Sequence, residues 1–137
     1  MWSAIPYVSL ILALVLAYWP RSVAGKAMME LPGGYDNHGP RDQQAKLEGK
    51  GRRALAAHQN GMEALLVFGI AVLAAAQRDV SSAVLIACCV VFLAARLTYV
   101  LAYLNDKASL RSGMFGLGML ACFVLLGFAL FAGRAGA

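Results

Sequence analysis

"RALAAHQNGMEALLVFGIAVLAAA", residues 53–76, holds His58, Asn60 and Glu63 near its start and is apolar without interruption from Ala64 onward. Its length matches the roughly 20 residues that carry a helix across a hydrocarbon core of about 30 Å. Lipid offers the backbone no hydrogen-bonding partners, so an apolar run of this length reads as a spanning helix. Three further runs have the same character: Trp2 to Trp19, Val80 to Leu104, and Gly113 to Ala132. The sequence therefore predicts an all-α membrane protein, a four transmembrane helix bundle. It forms one domain over residues 1–137, with spans at 2–19, 53–76, 80–104 and 113–132.

Composition points the same way. Of 137 residues, 61% are hydrophobic and 14% charged, whereas a soluble domain carries about 25% charged residues. The net charge of +5 is read as orientation rather than as a nucleic-acid surface, because the basic residues are not interleaved with exposed aromatics. Cys88, Cys89 and Cys122 all fall inside apolar runs. They read as small packing residues, not as a disulfide framework. No Lys or Arg precedes the first run, so it lacks the basic leader of a signal peptide and reads as a retained helix.

The segment 20–52 contains "ELPGGYDNHGPRDQQAKLEGKG" and is rich in Gly, Pro, Asp and Asn, so it reads as a long loop. Its Gly pair lacks the spacing and the preceding strand of a phosphate-binding motif. Arg21, Lys26, Arg41, Lys46, Lys50, Arg52 and Arg53 lie on this loop side, together with Lys107 and Arg111 of the third connection. The opposite side has only Arg78 and Arg134. The positive-inside rule then puts loops one and three in the cytoplasm and both termini outside. For a bacterial chain this means the inner membrane.

Polar groups within the spans set the functional reading. Glu63 lies ten residues into the second span, about 15 Å deep at the helical rise, and Asn60 shares its face. Arg96, Tyr99 and Tyr103 form one stripe on the third span, with Arg96 about 12 Å below its basic end. A charge at that depth costs about 2.5–3.5 kcal/mol and is normally paired or turned to a cavity. Glu63 and Arg96 are thus expected to pair, either as packing alone or within a polar pocket. Asn60 and the two tyrosines favour the pocket. Ser112 is expected to cap the fourth helix, with Arg111 beside it making an anion or thiolate site. Gly113, Gly116 and Gly118 read as close-packing positions. His58 has only His38, in a loop, as a possible His partner, so no metal site is expected.

The combination of "AHQNGMEALLVF" and "ARLTYVLAYLNDKASLRS" resembles the MAPEG family, the membrane-associated proteins of eicosanoid and glutathione metabolism. The resemblance covers about residues 45–130, and "GYDNHGPR" is similar to its bacterial branch. It implies a homotrimer with glutathione as co-substrate near the cytoplasmic face. On that resemblance Asn60, Glu63, Arg96, Tyr99 and Tyr103 would hold the tripeptide. Arg111, with Ser112 beside it, would steady the thiolate, and Arg21, at the end of the first helix, would contact glutathione. Three positions depart from the family pattern: Gln59 where some relatives have Arg, Leu66 where Pro is common, and Phe115 where some have Tyr.

The leading expectation is a glutathione-dependent membrane transferase or peroxidase. An Arg-stabilised thiolate would attack a lipophilic electrophile arriving from the bilayer. The alternative is a non-catalytic lipid-binding or scaffold protein of the same fold. A transporter is disfavoured, since no inverted repeat or broken helix pair is visible.

Overall fold

A computed structural model describes residues 4–78 and 80–132. Trp2 and Arg134, used above for the first span and for orientation, lie outside these residues. The order is α1 (Ile5–Met29), α2 (Pro40–Ala45), α3 (Gly49–Gln77), α4 (Ser82–Leu104) and α5 (Ala108–Phe131). Among the described residues α1, α3, α4 and α5 are long and apolar enough to cross a membrane. The fold is the four-span all-α bundle the sequence predicts.

Helix ends are where the expectation fails. α1 continues through Pro20 to Met29, α3 begins at Gly49, and α5 begins at Ala108. The loop assigned to 20–52 therefore shrinks to two short segments around α2. The reason is that hydropathy marks where the hydrocarbon begins, whereas a helix runs on into the polar boundary wherever its backbone remains bonded. Ser112 is accordingly not a cap. The N-cap of α5 is Lys107, with no side-chain cap bond, and Ser112 lies a full turn inside the helix. Asp106 at φ 59° makes the tight turn between α4 and α5, and Asn105 Nδ2 donates to the Leu101 carbonyl at 2.8 Å to close the end of α4.

Packing of α1 against α3 is set by small residues. Ala13, Ala17 and Ala24 on α1 face Gly51, Ala54, Ala57, Gly61 and Ala64 on α3, all buried at helical spacing. A Cβ at Gly61 would sit 3.1 Å from the Cα of Ala17, and one at Gly51 would sit 2.7 Å from the Cβ of Ala27. Close backbone approach through Gly and Ala is the usual way membrane helices gain contact where no hydrophobic drive exists. Of the glycines expected to pack at the start of α5, only Gly118 does so, against Phe92 and Ala95. Gly113 and Gly116 face open space.

Pro20 removes one backbone donor inside α1, which normally kinks a helix. The carbonyl that loses its donor is that of Leu16; one residue on, His58 Nδ1 of α3 lies 2.8 Å from the carbonyl of Ala17 and ties α3 to α1 there. A carbonyl can only accept, so Nδ1 carries the proton.

Two apolar clusters fill the bundle. One centres on Phe68, stacked face to face on Phe92 with centroids 3.9 Å apart, and includes Val72, Cys89, Cys122 and Leu125. The other, towards the basic end, holds Ala24, Met28, Leu47, Tyr99, Val100 and Leu104. Buried Gln43 ties the connection to that end. Its Nε2 donates to the carbonyls of Met28 (3.3 Å) and Gly34 (2.6 Å), and its Oε1 accepts from the Asp36 N–H (3.1 Å). At the opposite end Arg78 donates to the carbonyls of Ala129 and Ala132, closing the C-terminus of α5.

Gly61→Ala is expected to lower the melting temperature in detergent, by an overpacking cost of about 1–3 kcal/mol. Gly127→Ala, whose Cβ would meet nothing, is expected to leave it unchanged. Equal melting of the two variants would contradict the close α1–α3 seam.

Candidate functional site

Arg96 is placed between the two apolar clusters by the register of α4, one turn after Phe92 and one turn before Tyr99. Only 4% of its surface is exposed. Its Nη1 donates to Asn60 Oδ1 on α3 at 3.0 Å. Its guanidinium lies over the Tyr99 ring, 4.1 Å from the centroid. Its Nη2 is buried and, among the described residues, has no hydrogen-bond partner.

The expected Glu63–Arg96 ion pair does not form. The one ion pair among the described residues is Arg53 with Asp106 at 3.7 Å; its carboxylate is exposed, so the pair carries little energetic weight. Asn60 stands between the two charges instead: its Oδ1 accepts from Arg96, and its Nδ2 lies 3.5 Å from Glu63 Oε2. Depth along the helices is matched, but the rotation of α3 turns Glu63 outward, so it is exposed on the protomer surface.

The tyrosines extend the series towards the basic end. Tyr99 and Tyr103 meet edge to face at 5.6 Å, as i and i+4 side chains on one helix do. Arg111, in the first turns of α5, lies over the Tyr103 ring at 4.5 Å. Each cation–ring contact contributes about 0.5–2 kcal/mol depending on its hydration. Glu63, Asn60, Arg96, Tyr99, Tyr103 and Arg111 thus form one contacting series across α3, α4 and α5. Phe115 sits beside it, 6.4 Å from Tyr99. Ser112 is exposed and adjoins the series only through the chain.

Arg21 is not brought to this series. It lines a separate cavity of about 440 Å³ between α1, α2 and α3, with Tyr35, Arg41, Gln44, His58 and Gln59. Sequence reading did not single out Tyr35, Arg41 or Gln44. The signal for them was the placement of "GYDNHGPRDQQ" between two spans, which only the folded connection turns into a wall.

A buried Arg held by an amide from the neighbouring helix, leading through two tyrosines to a second Arg at the start of the last span, is a specific arrangement. A family model for the MAPEG family matches residues 4–131. The chain belongs to the MAPEG family. No curated protein and no solved structure gives a match. MAPEG members generally use glutathione, and membership fits a membrane role in glutathione or eicosanoid-type chemistry.

The Asn60–Arg96 bond has a measurable consequence in this MAPEG chain. Asn60→Leu leaves a buried guanidinium with neither Nη satisfied and is expected to cost about 1.5–3 kcal/mol, the scale of a hydrogen bond to a charged group. Asn60→Leu with Arg96→Met removes both partners and is expected to recover most of that loss. Thermal unfolding of the two variants compares them, and a double variant no more stable than Asn60→Leu would contradict the pairing.

Proposed function

We propose that this protein is a glutathione-dependent membrane transferase or peroxidase, acting on a lipophilic electrophile. The single observation that carries the reading is the contacting series from Glu63 to Arg111. Glutathione offers an ammonium, two carboxylates, amides and a thiol. The series has matching groups. Glu63 is an outward carboxylate for the ammonium. Arg96 Nη2 is a buried donor with nothing to bond, fitted to a carboxylate or amide oxygen. Asn60 and the tyrosine hydroxyls serve the remaining polar atoms, and Arg111 is a permanent cation for the sulfur.

The chemistry follows from that last contact. A thiol ionises more readily beside an Arg or near a helix N-terminus, and the thiolate is the nucleophile. Arg111 lies within the first turns of α5 and combines both effects. Thiolate attack on an electrophilic carbon forms the C–S bond while the leaving group departs with the displaced electron pair. Holding both reactants at one membrane boundary converts an encounter into a positioned reaction. Ser112 stands next to Arg111 as a candidate hydroxyl donor. Arg21 would enter such a site only from a neighbouring subunit.

Glu63 also bears on assembly. It is exposed among Met62, Leu66 and Ile70, all exposed on an apolar span. A carboxylate facing lipid there is costly; one facing a second copy of the chain is not. We infer a homotrimer, with Glu63 covered at the subunit contact and the basic end of the bundle in the cytoplasm. Light scattering of the detergent complex, with the detergent mass subtracted, is expected to give three chains. A stable monomer would contradict this.

Adding glutathione to the purified protein is expected to produce the ultraviolet difference absorbance of a thiolate, and Arg111→Ala is expected to abolish it. Absence of glutathione binding at millimolar concentration would favour the lipid-binding reading, which the Gln59 and Phe115 departures also suit. Glu63→Gln is expected to weaken glutathione binding about tenfold, the scale of one charge-assisted bond, with the melting temperature held. Loss of stability at unchanged affinity would assign Glu63 to packing alone.

A further inference from the structure

We propose that Arg53 is a further binding residue of the thiol site, taking the glycine carboxylate of glutathione in exchange for the carboxylate of Asp106. The inference rests on the glutathione reading above and names how this chain holds the far end of the tripeptide.

Arg53 stands seven residues before Asn60 on α3, so two turns put both on one face of the helix. The rise between them is about 10 Å, roughly the extended length of a tripeptide. On α4, Tyr103 stands seven residues beyond Arg96, the partner of Asn60. Arg53 and Tyr103 therefore lie at one level, where α3 and α4 face each other. The turn after Tyr103 carries Asp106, whose Oδ2 is 3.7 Å from Arg53 Nη1, and leads into α5 and Arg111. Arg53 thus closes the basic end of the series that runs from Glu63 to Arg111.

Its pairing is incomplete. Arg53 Nε is buried and, among the described residues, has no hydrogen-bond partner. At 3.7 Å the contact with Asp106 lies beyond hydrogen-bond reach. The Asp106 side chain is 72% exposed, so returning it to water costs little. A guanidinium presents a fork of donors, and a carboxylate meeting it side-on takes Nε and an Nη together. Asp106 approaches only Nη1. The exchange replaces a loose, solvated contact with a charge-assisted pair and gives the orphaned Nε an acceptor.

Calorimetric binding to the purified full chain compares glutathione with its glycine monoethyl ester, in which that carboxylate is uncharged. Glutathione is expected to bind about tenfold more tightly than the ester, the scale of one charge-assisted bond. Arg53→Gln is expected to reduce glutathione to the affinity of the ester and to leave the ester unchanged. Arg52→Gln, at an exposed neighbouring cation, is expected to keep the wild-type preference. Asp106→Asn frees Arg53 and is expected to tighten glutathione about two- to fivefold, the scale of an exposed pair, without affecting the ester. Asn tolerates the φ of 59° at this position, so the turn is retained.

An ester bound as tightly as glutathione, or a preference that survives Arg53→Gln, would overturn the proposal. So would unchanged affinity in Asp106→Asn. A gain in Asp106→Asn that extends to the ester, or persists in Arg53→Gln/Asp106→Asn, would also overturn it, because it reports the overall field instead of an exchange. If circular dichroism shows Arg53→Gln unfolded, the wild-type ester comparison and Asp106→Asn still decide. Each of these outcomes leaves glutathione bound and the catalytic reading standing. A wild type that binds neither thiol would defeat the reading and the proposal together.

Discussion

The hydrogen bond from Arg96 Nη1 to Asn60 Oδ1, at 3.0 Å, holds a permanent cation inside a bundle built for lipid. Much of the architecture around it follows from the need to keep that cation satisfied. Arg96 cannot neutralise itself by losing a proton, so its insertion cost of a few kcal/mol must be met by partners. Asn60 provides one, the Tyr99 ring another, and one donor is left over. The polar layer also divides the core: the Phe68–Phe92 stack fills one side and the Tyr99, Val100 and Leu104 group fills the other. A buried donor with no partner is expensive in a structure that only needs to pack, and useful in one that binds a polar ligand.

That layer depends on the position of α3. The Gly and Ala seam brings α3 onto α1 at near-contact of backbones, and His58 pins the two helices at the carbonyl next to Pro20's break. With α3 fixed there, Asn60 reaches α4 and Glu63 turns outward. The cavity with Arg21 and Arg41 lies among α1, α2 and α3, apart from the series that ends at Arg111. One seam thus separates two polar surfaces at the same basic end of the bundle.

The spans and the Arg96–Tyr99–Tyr103 stripe were legible in the sequence because helical periodicity and hydropathy are local properties. The partner of Glu63 was not. Residue count along antiparallel helices fixes depth but not rotation, and rotation is set by the α1–α3 seam, whose signal is spread over small residues without obvious polarity. The start of α5 differs for a related reason: the apolar run begins at Gly113, whereas the backbone is helical from Ala108. His58 and Gln43 owe their positions to backbone carbonyls, which carry no sequence signature, so neither role could be read in advance. Arg21 was grouped with the thiol residues by family resemblance, and within one chain the fold sets it elsewhere.

The most direct test is nitrogen-15 magnetic resonance of the guanidinium groups, in arginine-labelled protein titrated with glutathione. The Arg96 and Arg111 signals are expected to move together along one saturation curve. Arg78, which closes α5 at the opposite end, is predicted to stay still. If Arg96 is silent while Arg111 shifts, or if all three respond alike, the buried Arg96–Asn60 layer and the Arg111 end do not form one site.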